Sequence, residues 1–144
     1  MNETLKKLRT LLPCEKFVIT GSTALCKYGL MNSIGDIDII LVNPTEEAIN
    51  VVNKLQIDFP ASKIPSPDAK TLLGIFMWDI YKIDVFQSKN EPSIHIDDFD
   101  YSLIPNIVKA KQSYNRLKDW VQLRSISRIF SKEENFINFI NNIN

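Results

Sequence analysis

The chain has 144 residues, enough for one domain with a real core, and 44% of them are hydrophobic. Its formal net charge is zero at pH 7, so the overall charge does not favour a large nucleic acid as partner. The two cysteines, Cys14 and Cys26, lack the spacing of a metal site or a redox motif. Because no apolar run reaches about 18 residues and no signal-peptide pattern is present, we expect a cytoplasmic protein without a membrane segment.

The first half of the chain predicts alternating helices and strands. Leucines spaced three and four apart indicate an amphipathic first helix, whereas short apolar runs indicate strands. Gly29 is expected to end the second helix. Asn43 is expected to cap the third, with Pro44 at its first position. The predicted order is helix 3–12, strand 17–20, helix 22–28, strand 36–42 and a helix from 44 onward.

The second half predicts a β-hairpin and then long helices. An irregular segment with three prolines comes first, over 57–70. The predicted elements after it are hairpin strands 71–78 and 81–87 joined at Asp79-Ile80, an acidic loop 90–100, a helix 103–130 capped by Ser102, and a final helix after Ser131. The long helix is predicted to bury one stripe of side chains in the core: Ile107, Ala110, Tyr114, Leu117 and Val121.

This order of elements indicates the α+β class. We expect a small mixed sheet with flanking helices and a C-terminal helical segment. No internal repeat or composition shift marks a boundary, so residues 1–144 are predicted to form one domain. Its core would cover about 15–90 and its C-terminal helices about 102–144.

Two aspartates alternate at the start of the second predicted strand. Because successive side chains of a strand point to opposite faces, Asp36 and Asp38 share one face, and the isoleucines beside them take the other. Two neighbouring carboxylates repel each other unless a cation or a proton lies between them. The simplest explanation of the pair is a site for a divalent metal ion.

A Gly-Ser pair lies where the first predicted strand meets the next helix. A helix that begins directly after a strand presents unpaired N–H groups and the positive end of its dipole, which favour an anion. Gly21 lets a phosphate approach the backbone, and Ser22 can cap the helix or donate to a phosphate oxygen. A phosphate site beside paired carboxylates is what a nucleoside triphosphate and its Mg²⁺ require.

Further polar residues follow along the chain. In the second hairpin strand Lys82 and Asp84 share a face, a pattern that a solvated surface strand can also show. On the predicted long helix Lys111, Asn115 and Lys118 fall at i, i+4 and i+7 and share a face. Either lysine could reach a triphosphate, or the face could simply be solvated. Exposed surface charge is the expected role of Arg124 and Arg128.

Other candidates for a site are weaker. His95 is the only histidine, so a histidine-based metal or nucleophile site lacks partners. No calcium-binding loop motif accompanies the nearby acidic residues, which are expected to form a solvated loop: Asp97, Asp98 and Asp100. The hairpin aromatics are expected in the core, with stacking on a base as the alternative: Trp78, Tyr81 and Phe86.

Together these motifs resemble the signature of the DNA polymerase beta-type nucleotidyltransferase superfamily. Gly21-Ser22, a gap of thirteen residues, Asp36-Ile37-Asp38 and a later Asp84 match its Gly-Ser, Asp-x-Asp and third carboxylate. The spacer is similar to that of the branch holding abortive-infection toxin and antibiotic nucleotidyltransferases. A lysine before Arg116-x-Lys118-Asp119 also resembles a helix of the abortive-infection group. The resemblance covers roughly residues 15–120.

The resemblance implies a nucleotidyltransferase fold and two-metal transfer of a nucleoside monophosphate from a triphosphate. Asp36, Asp38 and Asp84 would hold Mg²⁺ or Mn²⁺, and Asp84 could take the proton of the acceptor hydroxyl. The acceptor could be an RNA such as tRNA, a protein side chain or a small molecule. The residues implied in binding the triphosphate are Gly21, Ser22, Lys111 and Lys118. Membership of the toxin branch would also place the chain in a toxin–antitoxin system.

Departures from the family pattern leave other hypotheses open. The loop over 31–35 lacks the usual arginine, and Val121-Gln122 stands where relatives often have a second aspartate. The alternatives are a degenerate nucleotidyltransferase that acts as a nucleotide-binding or protein-interaction module, and another magnesium-dependent phosphoryl enzyme such as a phosphatase. The C-terminal helices could pack on the domain or bind a partner protein.

Overall fold

Six strands form one mixed sheet in the computed structural model, which describes residues 1–32, 35–62 and 71–130. The elements in chain order are α1 Asn2–Leu11, β1 Lys16–Thr20, α2 Gly21–Lys27, β2 Ile37–Val42, α3 Glu46–Asp58, β3 Leu72–Trp78, β4 Tyr81–Ser88, β5 Ser93–Ile96, β6 Phe99–Ser102, α4 Ile104–Tyr114 and α5 Leu117–Phe130. This architecture confirms the predicted α+β class. None of the helices within the described ranges is long and apolar enough to cross a membrane.

The strand order of the sheet is β3-β4-β2-β1-β6-β5. Strands β1 and β2 are antiparallel neighbours. Strand β4 lies parallel to β2 and antiparallel to β3, and the second pairing is the predicted hairpin. The parallel pairing sets residue 38 opposite residue 84. Two stretches of chain that are far apart in sequence therefore meet at the centre of the sheet.

The core lies on one face of the sheet. Burial alternates along β2, where Ile37, Ile39 and Leu41 are fully buried and the residues between them are only partly covered. These isoleucines belong to one apolar core with Leu8 of α1 and Val52 of α3. Because the core takes this set of side chains, the intervening set is left to line the cavity described below.

The start of α3 differs from the prediction. The N-cap is Thr45, whose Oγ1 accepts a hydrogen bond from the backbone N–H of Ala48 at 3.2 Å. Asn43, the predicted cap, precedes the helix in a left-handed conformation with φ 47°, and its side chain donates to the carbonyl of Lys89. Asn43 and Thr45 are both suitable cap residues, and the predicted one, Asn43, is wrong.

Replacing Thr45 with alanine should destabilise the fold by about 1 kcal/mol, because the N–H of Ala48 loses its acceptor. Chemical denaturation followed by circular dichroism measures this change. Thr45→Ser keeps the hydroxyl and should retain most of the stability. Equal losses in both variants would show that the cap is not the source.

The predicted acidic loop is wrong, because β5 and β6 form a hairpin there. Its turn is Asp97-Asp98, with Asp97 in the left-handed region at φ 55°. Lys27 pairs with Asp97, and the side chain of Arg9 donates to the carbonyl of Asp98. The aspartates that suggested a loop thus form a tight turn and its polar contacts.

The predicted single helix over 103–130 is also wrong, because it breaks into α4 and α5. Asn115 ends α4 in the left-handed conformation, which asparagine adopts more readily than most residues. The predicted core stripe does not continue past the break, where Leu117 is 83% and Val121 57% exposed, and α5 buries Ile126 instead. Ser102 does not cap α4: its hydroxyl donates to Glu91.

The proline-containing segment is described only in part. Helix α3 extends to Asp58, and Pro60 forms an isolated bridge with Phe76 of β3. Residues 63–70 and the final helix predicted after Ser131 lie outside the described residues.

Candidate active site

Three carboxylates meet beside the neighbouring strands β2 and β4. Asp36 directly precedes β2, Asp38 lies within it, and Asp84 is the register partner of Asp38 on β4. The Thr23 hydroxyl of α2 donates to the carbonyl of Asp36 at 3.3 Å and fixes the backbone there. All three carboxylates line a cavity of about 520 Å³. The structure therefore brings the predicted catalytic residues together.

Lys82 lies among these carboxylates, a role that the sequence reasoning did not assign to it. Its Nζ is 3.1 Å from Asp36 Oδ2 and 3.4 Å from each carboxylate oxygen of Asp84. The Lys82 side chain is 14% exposed. Asp84 Oδ1 is buried and accepts no hydrogen bond from the described residues. Within the described residues no three His, Cys, Asp or Glu side chains are grouped closely enough to enclose a metal ion, and here the ammonium takes the central position.

Burial and the neighbouring carboxylates both disfavour negative charge on Asp38 and Asp84. Burial, with the charges of Asp84 and Asp36, raises the pKa of Asp38 to about 7. Burial also raises the pKa of Asp84, an effect that Lys82 opposes and Asp36 reinforces. Although burial disfavours the charge on Lys82, its contacts with Asp36 and Asp84 outweigh that effect and raise its pKa. A further cation would relieve this repulsion.

The raised pKa of Asp38 predicts a pH-dependent stability difference in the metal-free protein. The unfolded chain loses the Asp38 proton near pH 3.8 and the folded chain near pH 7, so this residue lowers stability progressively as pH rises between those values. Asp38→Asn should therefore be more stable than the parent chain above pH 7, by up to about 4 kcal/mol, and the difference should shrink toward pH 4. Urea unfolding in EDTA at several pH values measures it. A difference that does not vary with pH would contradict the shift.

Gly21 brings the junction of β1 and α2 directly against the carboxylates. It adopts φ +61°, and a Cβ added to it would lie 2.5 Å from Asp38 Oδ2. Thr20, just before it, is the register partner of Asp38. Ser22 does not cap α2, whose N-cap is Thr20 without a side-chain bond; it lines a second cavity of about 300 Å³. Both predicted Gly-Ser residues thus lie at the site.

The break between α4 and α5 holds a buried ion pair that the sequence reasoning did not identify. Asp119 is fully buried and accepts from Arg116 Nε at 2.7 Å and Nη2 at 3.1 Å. It also accepts from the backbone N–H of Arg116 at 3.2 Å, as the third residue of a helix does in a capping box. The signal in the sequence is an asparagine followed by Arg-x-x-Asp, which is a helix stop followed by a helix start.

The two predicted lysines of this region differ in environment. Lys111 is 7% exposed, donates to the side chain of Gln122 and lies 3.9 Å from Asp119. Burial lowers the pKa of Lys111, although the charge of Asp119 opposes this. Lys118 is exposed at the cavity rim. Asn115 does not share their face, since it forms the helix break and its side chain accepts from Trp120.

The two cavities share a border that carries both signs of charge. The larger extends over Ile40 and Phe86 toward α4, and the smaller reaches Ser22. The residues that line both are Asp36, Asp38, Lys111, Arg116 and Lys118. An anionic chain lying here would contact the cations on one side and approach the carboxylates on the other, which requires a cation between them.

The weaker candidates lie elsewhere or are structural. His95 is exposed and its Nδ1 is 2.8 Å from Asp100. Trp78 packs against Phe59 and Phe76. Phe86 differs from these, since it lines the larger cavity. Exposed positions on α5 are occupied by Arg124 and Arg128, as predicted.

Comparison with known proteins concerns the fold. No protein-family model matches the chain, and no curated protein matches it significantly. Among solved structures it is similar to a Thermotoga maritima protein provisionally identified as a nucleotidyltransferase, with a TM-score of 0.56 and 16% identity. The similarity covers 85% of this chain and 89% of that one. The chain therefore has a nucleotidyltransferase-like fold, as the Gly-Ser and Asp-x-Asp motifs predicted.

Proposed function

We propose that the protein is a nucleotidyltransferase that depends on Mg²⁺ or Mn²⁺ and moves a nucleoside monophosphate from a triphosphate to an acceptor hydroxyl. The observation that carries this proposal is the convergence of Asp36, Asp38 and Asp84 at one cavity that basic residues also line. A cavity lined by carboxylates alone would repel a nucleotide. A cavity lined by cations alone would bind a nucleotide but offer no ligands for a metal ion.

The carboxylates fit a divalent metal ion. Asp36, Asp38 and Asp84 offer oxygen ligands, which Mg²⁺ and Mn²⁺ prefer, and one buried oxygen of Asp84 has no hydrogen-bond partner within the described part of the chain. Burial and the charges of Asp84 and Asp36 raise the pKa of Asp38, and a bound cation would oppose this rise. When bound, the metal would neutralise phosphate charge and activate the acceptor oxygen.

The phosphate chain is proposed to lie at the smaller cavity. Ser22 offers a hydroxyl there, and Lys111, Arg116 and Lys118 supply positive charge. These groups would stabilise the charge that develops on pyrophosphate as the bond to the α-phosphorus breaks. Gly21 contributes by its lack of a side chain, which lets the junction approach Asp38.

The nucleoside and the acceptor are proposed to enter through the larger cavity. Ile40 and Phe86 offer apolar surface on which a base can pack. The acceptor oxygen attacks the α-phosphorus in line with the leaving pyrophosphate, and its proton passes to Asp84. An RNA end, a protein side chain or a small molecule can each supply the hydroxyl.

The proposal is tested by label transfer. The protein is incubated with each α-labelled triphosphate, Mn²⁺ or Mg²⁺, and RNA and protein lysates. Asp36→Asn/Asp38→Asn is tested beside it, with Asp97→Asn/Asp98→Asn as control, since that pair removes equal charge from an exposed turn. We expect transfer that the first double variant loses and the control retains. Triphosphate binding without transfer or pyrophosphate release would instead favour the nucleotide-binding module.

A further inference from the structure

Lys82 is placed where a metal ion would be expected. It comes two residues before Asp84 on β4, so the two side chains lie on the same face of the strand. Its ammonium also contacts Asp36, which directly precedes β2, at 3.1 Å, and thus connects β4 to the start of β2. The ammonium contacts two of the three carboxylates, and in this arrangement no cluster of three acidic ligands is formed among the described residues.

We propose that Lys82 is a built-in counter-ion that holds Asp36 and Asp84 together in the metal-free protein and must be displaced when a divalent ion binds. This inference rests on the metal site of the proposed function. The ammonium and the metal compete for the same carboxylate oxygens, so Lys82 weakens metal binding while it stabilises the metal-free fold. The displaced ammonium would stay at the larger cavity, which Lys82 lines.

The contacts distinguish this role from that of an ordinary surface ion pair. An exposed pair contributes little, because both partners remain solvated. Here the side chains of Lys82 and Asp84 are 14% and 11% exposed, so each charge depends on the other. Removing the ammonium leaves Asp36 and Asp84 without the one cation that contacts them among the described residues, and a divalent ion can take its place.

The test measures binding of Mn²⁺ alone, by electron paramagnetic resonance or calorimetry, together with the melting temperature in EDTA. Lys82→Gln should bind Mn²⁺ at least fivefold more tightly than the parent chain, melt at a lower temperature in EDTA, and recover more stability on adding Mn²⁺. Lys82→Arg keeps a cation and should not bind Mn²⁺ more tightly. If Lys82→Gln does not fold without metal, Lys82→Arg is the variant compared with the parent chain. Lys16→Gln, at an exposed position of β1, should match the parent chain.

The outcomes separate this inference from the proposed function. If Mn²⁺ binds and Asp36→Asn/Asp38→Asn abolishes it, but Lys82→Gln binds equally or more weakly, the counter-ion role is overturned and the metal site stands. If the parent chain and the Asp36→Asn/Asp38→Asn variant bind Mn²⁺ alike, the metal site itself is overturned and the inference with it.

Discussion

Replacing Gly21 with alanine is expected to reduce nucleotidyl transfer about 100-fold, because the added methyl group would collide with Asp38. The new Cβ would lie 2.5 Å from Asp38 Oδ2, so the carboxylate must move or the junction of β1 and α2 must shift. The left-handed φ of +61° adds strain, and the fold should lose about 1–3 kcal/mol. Transfer of α-label and chemical denaturation measure the two effects.

Gly29→Ala is the matched control for this substitution. Gly29 also adopts a left-handed φ, +78°, but among the described residues beyond its two chain neighbours no atom lies within 4 Å of the position a Cβ would take. It should therefore share the strain without disturbing the carboxylates. If both variants lose transfer to the same extent, the cause is lowered stability and the contact between Gly21 and Asp38 has no special role.

Replacing Asp119 with alanine is expected to destabilise the fold by about 3 kcal/mol, because two cations and a helix N-terminus lose their common partner. Arg116 loses two side-chain hydrogen bonds and one from its backbone N–H, and the buried Lys111 loses its nearest carboxylate. Since both cations line the cavities, the KM for the triphosphate should also rise. Urea unfolding and steady-state kinetics measure these changes.

Asp97→Asn is the control for the loss of an ion pair. Asp97 pairs with Lys27 on an exposed turn, where solvent screens the charges, and asparagine tolerates the left-handed φ of this position, so the variant should leave stability nearly unchanged. A small effect of Asp119→Ala, comparable to that of Asp97→Asn, would show that the break between α4 and α5 is held by its apolar contacts rather than by the buried carboxylate.

The parts of the fold that depend on local pattern could be predicted from the sequence. Alternation along β2 placed Asp36 and Asp38 on one face, and a two-residue connection at Asp79-Ile80 gave the hairpin of β3 and β4. Gly29 adopts a left-handed conformation just after α2 and ends that helix, as predicted. Each of these features depends on residues that are close together in the chain.

Errors arose where a local pattern was outweighed by a less conspicuous signal. Helical spacing continues across Asn115, and only the capping contact of Asp119 with Arg116 explains why the helix begins again. The aspartates near residue 97 suggested a loop, although the alternating apolar residues Ile94 and Ile96 belong to the first strand of a hairpin. Polar residues that favour loops also form tight turns, and composition does not separate the two.

The assembly of the candidate site depends on pairing between distant segments. The family resemblance singled out Asp84, but its position beside Asp38 follows from the parallel pairing of β2 with β4. Lys82 illustrates the same limit. Its role depends on its contact with Asp36, which its own strand does not reveal. Side-chain alternation indicates which face a residue occupies, and the strand order decides which residues meet there.

The most direct test is a crystal structure with Mn²⁺ and a non-hydrolysable nucleoside triphosphate, with anomalous scattering used to locate the manganese. We predict manganese bound by oxygens of Asp36, Asp38 and Asp84, Lys82 moved away from Asp36, and phosphates beside Ser22 and the cations of the helix break. Triphosphate bound elsewhere, or Asp36 and Asp84 still closed around Lys82 with no manganese between them, would contradict the proposed site.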